Sequence, residues 1–227
     1  GPTASGKSKL AINLARKING EIINADSMQI YKEFLLLSSR PNILDIKKIK
    51  HHLYGFTSVK KHFSTGEWLK LAKDKIIKCH KKNKIPIVVG GTGLYFNAIT
   101  KGISKIPDID KKTRQRVRSM FNKKGYKKFY EELLKKDPKV KNKILPTDSQ
   151  RSQRAYEVFI KTKKSLIDWM SNTQSEFNDY EIKKIFLDIP RSILLNKISL
   201  RTELMFKNKC IEEVKKFNSF KLNKSLS

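Results

Sequence analysis

The chain opens Gly1-Pro2-Thr3-Ala4-Ser5-Gly6-Lys7-Ser8, a full match to G-x-x-x-x-G-K-[ST]. A helical stretch carrying Leu10, Ile12, Leu14 and Ile18 follows and ends near Asn19-Gly20. This is the pattern of a phosphate-binding loop. Its chemistry needs glycines where backbone N–H groups converge on phosphate oxygens and a helix N-terminus for a favourable dipole. It also needs Lys7 to reach the terminal phosphates and the Ser8 hydroxyl to ligate Mg²⁺. In such folds the loop joins a buried parallel strand to the helix. No strand and no initiator Met precede Gly1, so a fragment lacking its first strand is expected. Working outward, Glu21-Ile22-Ile23-Asn24-Ala25, Ile85-Pro86-Ile87-Val88-Val89 and Lys184-Ile185-Phe186-Leu187-Asp188-Ile189 are short apolar runs that predict parallel strands. Helical patterns lie near 65–83, 93–101, 112–122, 126–136, 150–163 and 191–217. The expected fold class is therefore α/β, a P-loop NTPase-like parallel sheet flanked by helices, with a helix-rich middle.

Composition narrows the possibilities further. The chain has 227 residues, 38% hydrophobic and 9% aromatic, enough apolar material for a core in one large domain or a domain with an insertion. No run approaches the roughly 18 apolar residues of a membrane span, and the N-terminus has no signal-peptide pattern. Cys79 and Cys210 stand far apart without a C-x-x-C partner, which excludes a disulfide scaffold and a thiolate zinc site and suits a reducing cytosol. The formal charge is +29, from 50 Lys+Arg against 21 Asp+Glu. Such an excess suits a polyanionic partner, although a chain rich in Lys, Asn and Ile acquires charge from genome bias as well. Its distribution is more telling: residues 101–164 hold 21 Lys+Arg against 7 Asp+Glu, or +14 of the total.

In a doubly wound sheet, functional residues collect at the carboxyl ends of the strands. That rule selects Asp26-Ser27, Gly90-Gly91-Thr92-Gly93 and Asp188. Each has a plainer explanation, as helix cap, tight turn or strand end. A nucleotide-hydrolysing site would place an aspartate after an apolar strand to hold Mg²⁺. Here the middle strand ends in Gly-Gly-Thr, which weakens that alternative and leaves Asp188 as the candidate metal-side aspartate.

Five segments in series carry a resemblance. They are Gly1–Ser8; Ala25-Asp26-Ser27-Met28-Gln29-Ile30-Tyr31; His51-His52-Leu53; Val89-Gly90-Gly91-Thr92-Gly93-Leu94-Tyr95-Phe96; and Asp148-Ser149-Gln150-Arg151-Ser152-Gln153-Arg154-Ala155-Tyr156-Glu157-Val158. In this order and spacing the chain resembles the tRNA dimethylallyltransferase family over nearly its whole length, and looks like a bacterial member. The resemblance implies transfer of a dimethylallyl group from dimethylallyl diphosphate to the exocyclic N6 of the adenosine 3′ of the anticodon. Gly1, Pro2, Thr3, Ala4, Ser5, Gly6, Lys7 and Ser8 would then cradle the diphosphate, with Mg²⁺ held partly by Ser8. Asp26 matches the family's general base, Thr92 a residue near both substrates, and Arg201 a diphosphate-binding arginine. Asp26, Ser27, Met28, Gln29, Thr92, Arg114, Gln150, Arg151, Ser152, Gln153 and Arg154 would touch the tRNA anticodon stem-loop, whose reacting base must leave its stack. A helical insertion at 106–181 is expected to contact tRNA, with the core at 1–105 and 182–227. The resemblance further implies a cytoplasmic monomer. His51 and His52, as neighbours in an extended segment, point to opposite sides, which argues against a metal site there.

The chain departs from the family pattern after Tyr31. Members commonly read Met-Asp-Ile-Gly-Thr-Ala-Lys-Pro, whereas Phe34-Leu35-Leu36-Leu37-Ser38-Ser39-Arg40-Pro41 stands here, without the acid and the glycine. The family also continues beyond Lys224-Ser225-Leu226-Ser227. Three other functions fit parts of the sequence. An adenylate isopentenyltransferase would prenylate a free nucleotide, a small-molecule kinase would put ATP in the loop, and a non-enzymatic RNA-binding module would use only the basic surface.

Overall fold

The computed structural model describes residues 1–171 and 173–220; the end stretch Lys224–Ser227 lies outside them. Two compact units emerge, Gly1–Ile99 with Tyr180–Ser227, and Thr100–Asp179.

In the first unit, helix α1 (Lys7–Lys17) leads into β1 (Gly20–Asn24), then α2 (Ile43–Lys48), β2 (His51–His52), α3 (Thr65–His80), β3 (Ile85–Val89) and α4 (Gly93–Lys101). The strands pair in parallel in the order β2-β1-β3, with Ile22 opposite both His51 and Ile87. Every residue of β1 is buried, as a central parallel strand covered on both faces must be. Ala11, Ile12 and Ala15 of α1 pack on Ile22, with Ile87 and Val89 beside them. Pro86 is tolerated because β3 lies at the edge of this sheet, where a missing N–H breaks no ladder. Ser64 and Glu67 form a reciprocal capping box that starts α3. Trp68 of α3 is fully buried, donating its indole N–H to the Asn24 carbonyl at 2.9 Å and stacking on Tyr95 at 4.1 Å.

One expected strand is absent. Residues 184–189 are not in a strand, and Ile185 and Phe186 are 65% and 72% exposed. Apolar character supplies strand propensity, but a strand also needs a neighbour to share its ladder. Leu187 instead runs against the phosphate loop, so closely that a methyl on Gly1 would lie 2.7 Å from the Leu187 carbonyl oxygen. The short β2 pairs with β1, on a His-His sequence with no strand signal.

The second unit is helical. After the chain leaves α4 come α5 (Lys111–Lys136), a 3₁₀ turn at Pro138–Val140, α6 (Ser149–Thr162) and α7 (Leu166–Ser171). Gly125, at φ 70°, breaks α5 between the two expected helical stretches. Val117, Phe129, Leu133, Val140, Ala155 and Val158 form its core. The Tyr130 hydroxyl donates to the Ile144 carbonyl at 2.7 Å. Asp110 and Asp148 cap α5 and α6 through the N–H groups of Thr113 and Arg151. Back in the first unit, α8 (Arg191–Lys207) and α9 (Cys210–Asn218) complete the described chain. Among the described residues no helix is long and apolar enough to cross a membrane.

Candidate active site

The loop Gly1–Ser8 turns into α1 through two left-handed residues, Ala4 at φ 57° and Gly6 at φ 87°. Gly6 caps α1 without a side-chain hydrogen bond, so the first-turn amides face outward for an anion. Ser5 Oγ is buried and has no hydrogen-bond partner. A phosphate oxygen is a ligand atom that would satisfy it. Lys7 Nζ folds back over its own loop, donating to the carbonyls of Gly1 (2.9 Å) and Pro2. Burial holds the Lys7 ammonium below its ordinary pKa, with Asp26 opposing that shift and Arg201 adding to it. Asp26 and Arg201 therefore both act on Lys7 electrostatically. Arg201, on α8, reaches the loop directly and donates from Nη2 to Thr3 Oγ1 at 2.9 Å.

Asp26 sits just past β1, at the sheet edge that Gly90–Gly93 crosses. The Ala25 N–H donates to the Val89 carbonyl (2.7 Å), and the Thr92 N–H returns a bond to the Ala25 carbonyl (3.1 Å). Gly90 makes this crossing possible: a methyl there would lie 2.0 Å from the Ala25 carbonyl oxygen. Asn24, fully buried, accepts the Asp26 N–H at 2.9 Å and donates to the carbonyls of Leu53 (2.9 Å) and Asp26 (3.0 Å). One Asp26 oxygen accepts the Met28 N–H at 2.9 Å. Thr92 Oγ1 accepts the Ser27 N–H at 2.9 Å and donates to Ser27 Oγ at 3.2 Å. In this state its hydroxyl therefore holds the residue next to Asp26. Tyr95 is pushed up to about 12 by burial, then by Tyr31 and Asp26, and Tyr54 is raised by burial and Asp26. Both phenols stay protonated beside the carboxylate.

The other expected nucleic-acid contacts divide between the units. Met28 is 54% exposed, whereas Gln29 is half-buried and commits its Nε2 to the carbonyls of Ser38 and Ser39 at 2.8 and 3.0 Å. In the second unit, Arg114 is half-buried on α5, its Nε buried without a partner. Gln150 and Arg151 are exposed on α6, and Gln153 and Arg154 are partly so. Ser152 departs from expectation. It shares the buried face of α6 with Ala155 and Tyr156 and is 1% exposed, because the helical period turns every third or fourth residue inward. Asp188 is exposed and ends no strand.

Sequence reading passed over Asn24, whose signal was a polar residue closing an apolar strand run. It also passed over a trio in which Glu21 and Cys79 are buried and His52 is partly so. The Glu21 carboxylate meets His52 Nε2 at 2.6 Å and accepts from Cys79 Sγ at 3.6 Å. All three donor atoms lie within 4.8 Å of one another, a set able to ligate a cation. The partners already hydrogen-bond one another, and burial followed by the Glu21 charge pushes the Cys79 thiol up to about 11. The trio is a mutually hydrogen-bonded polar cluster joining β1, β2 and α3.

The family described as IPP transferase matches residues 29–227. A tRNA dimethylallyltransferase of Pelagibacter ubique (strain HTCC1062) is 54% identical over 227 residues, covering all of this chain and 72% of the relative. One of Rickettsia massiliae (strain Mtu5) is 41% identical over 215 residues, or 94% of this chain and 59% of the relative. Among solved structures, the full-length tRNA isopentenylpyrophosphate transferase of Bacillus halodurans superposes with TM-score 0.65 at 30% identity, covering 99% of this chain and 70% of its own. A eukaryotic dimethylallyltransferase acting on tRNA gives TM-score 0.79 at 27% identity over 98% of this chain and 56% of its own.

Proposed function

Because the chain belongs to the IPP transferase family, we propose that it is a tRNA dimethylallyltransferase, moving a dimethylallyl group from its diphosphate to N6 of the adenosine 3′ of the anticodon. One observation carries the assignment of the site. Asp26, just past β1, and Arg201 of α8 both bear electrostatically on Lys7 of the phosphate loop, and Arg201 touches that loop directly through Thr3.

The loop amides, Lys7 and Arg201 bind the diphosphate and stabilise the negative charge that grows on it as the C–O bond to the allylic carbon breaks. Binding frees Lys7 Nζ from the Gly1 and Pro2 carbonyls and gives Ser5 Oγ a partner. The Ser8 hydroxyl is exposed at the first turn of α1, a single hard oxygen donor. That suits Mg²⁺, which keeps waters and phosphate oxygens as its other ligands. Mg²⁺ held there by Ser8 would supply charge neutralisation to the leaving diphosphate. The adenine N6 lone pair forms the new C–N bond, and Asp26 takes the N6 proton. Asn24 and Thr92 hold Asp26 and Ser27 so that the carboxylate faces the acceptor. No hydrolytic water is needed, which accounts for Gly-Gly-Thr where a hydrolase would carry a metal-binding aspartate.

The second unit contributes tRNA contacts through Arg114, Gln150, Arg151, Gln153 and Arg154, within the segment that holds +14 of the charge. The enzyme acts as a cytoplasmic monomer. The test is transfer to an anticodon stem-loop RNA, with AMP supplied in parallel. Asp26→Ala is expected to abolish transfer and leave RNA binding largely intact. Unchanged turnover would remove Asp26 as the base, and efficient prenylation of AMP would overturn the choice of acceptor.

A further inference from the structure

The backbone N–H groups of three consecutive residues converge on one side chain. Leu35 and Leu36 donate to Glu213 Oε1 at 3.0 and 2.8 Å, and Leu37 donates to Glu213 Oε2 at 3.1 Å. Successive amides aimed at one point make an anion-binding concavity, and hydrogen bonds to an ionised acceptor are about twice as strong as neutral ones. None of the side chains of Phe34, Leu35, Leu36 or Leu37 can accept a hydrogen bond, so these residues cannot cap their own amides. The acceptor comes from α9, which also packs Phe217 on Phe34 with ring centroids 5.0 Å apart.

The far side of the same turn is held by the active-site segment. Gln29 Nε2 binds the carbonyls of Ser38 and Ser39. Its own N–H donates to the Asp26 carbonyl at 3.2 Å, and its carbonyl accepts from Gly55 at 2.8 Å. Inside the turn, the Ser39 N–H donates to the Leu36 carbonyl and the Arg40 N–H to the Leu35 carbonyl. Carboxylate, turn, Gln29 and Asp26 thus form one continuous chain of hydrogen bonds within the first unit.

We propose that Glu213 is a positioning residue for the transfer reaction: by fixing the amides of Leu35–Leu37 it sets the Ser38 and Ser39 carbonyls, and through Gln29 the Asp26–Gln29 segment, against the acceptor nucleotide. This rests on the function proposed above and extends it to a residue remote from the reacting atoms. Glu213 connects through the turn to Gln29, in the segment that would meet the acceptor, whereas the loop and Arg201 would hold the diphosphate. Its loss should therefore weaken acceptor binding selectively.

The test compares wild type, Glu213→Gln and Glu213→Ala. Anticodon stem-loop RNA and dimethylallyl diphosphate are varied separately, and thermal unfolding and amide hydrogen exchange are followed on the same samples. For Glu213→Ala the KM for RNA should rise about tenfold, equivalent to losing one net hydrogen bond to a charged group. The KM for dimethylallyl diphosphate should stay unchanged, and exchange protection at Leu35–Leu37 should be lost. Glu213→Gln keeps one acceptor oxygen and should fall between the two, a rise of about threefold by the same reckoning. A purely structural role would lower kcat through a smaller folded fraction and leave both KM values alone. That result, equal rises in both KM values, or retained protection at Leu35–Leu37 would overturn the proposal. A wild-type chain that transfers normally beside a wild-type-like Glu213→Ala removes the clamp alone, while an inactive wild type removes the proposed function and the clamp with it.

Discussion

Gly90→Ala isolates the contact on which the active-site geometry depends. The added methyl would lie 2.0 Å from the Ala25 carbonyl oxygen and 2.1 Å from its carbon, more than 1 Å inside ordinary contact. Neither side can yield cheaply. Ala25 is fully buried, with its N–H bonded to Val89 and its carbonyl to Thr92. Overpacking at so rigid a point costs about 3 kcal/mol, and breaking the Thr92–Ala25 hydrogen bond adds about 1 kcal/mol. At 2–4 °C per kcal/mol for a chain of this size, the melting temperature should fall by about 12 °C. The wedge also parts Thr92 from Ser27, and a misplacement of about 1 Å at a catalytic centre lowers turnover about 100-fold. Gly93→Ala is the matched control, since nothing lies within 4 Å of its added methyl at the start of α4. It should equal wild type or gain about 0.5 kcal/mol. Thermal unfolding and prenyl transfer by both variants decide the matter. A Gly90→Ala protein as stable and active as Gly93→Ala would refute the close approach of the two strand ends.

Arg201→Ala should raise the KM for dimethylallyl diphosphate about tenfold by removing a charged donor from the loop. Arg201→Lys should recover only part of it, because an ammonium lacks the forked geometry; steady-state kinetics reads both, and full recovery with Lys would count against direct diphosphate binding. Burial pulls the Glu21 carboxyl upward, but the His52 hydrogen bond, Lys50 and Cys79 together hold it below the ordinary carboxylate range. A depressed folded-state pKa contributes stability that is present above the unfolded value of about 4.5 and is lost as pH falls through the lower folded value. Glu21→Gln should therefore destabilise the protein at pH 7 by about 1–3 kcal/mol and flatten the acid limb, as followed by denaturant unfolding between pH 3 and 7; an unchanged acid limb would exclude Glu21 as its source. Affinity for the anticodon stem-loop should fall steeply with salt, and replacing a contacting cation such as Arg114 or Arg151 by Ala should reduce the log–log slope by about one unit. A salt-independent affinity would return the basic excess to composition alone.

Much of the architecture follows from local rules. The phosphate loop is legible because its left-handed turn, its open helix N-terminus and its lysine are properties of eight contiguous residues. Helices α3 and α6 begin where Ser64 and Asp148 offer caps, and α5 breaks at Gly125 because only a residue without a side chain takes that φ at no steric cost. Periodicity fails where the outcome depends on a neighbour. Residues 184–189 have strand character and no strand, His51-His52 has none and pairs with β1, and Ser152 is carried into the core by the turn of its helix.

The sequence by itself thus determined that Gly1–Ser8 carries the pattern of a phosphate-binding loop and that Asp26 and Thr92 follow strands of one parallel sheet. Periodicity and spacing act over a few residues, and these features need no more. Only the tertiary structure decided that Arg201 reaches Thr3, that Gly90 seats on Ala25, that Glu21 closes on His52 and Cys79, and that Glu213 clamps Leu35–Leu37. Each of these is a hydrogen bond or steric contact between segments about 30 to 200 residues apart, and no local pattern encodes which distant partner a buried donor or acceptor will meet.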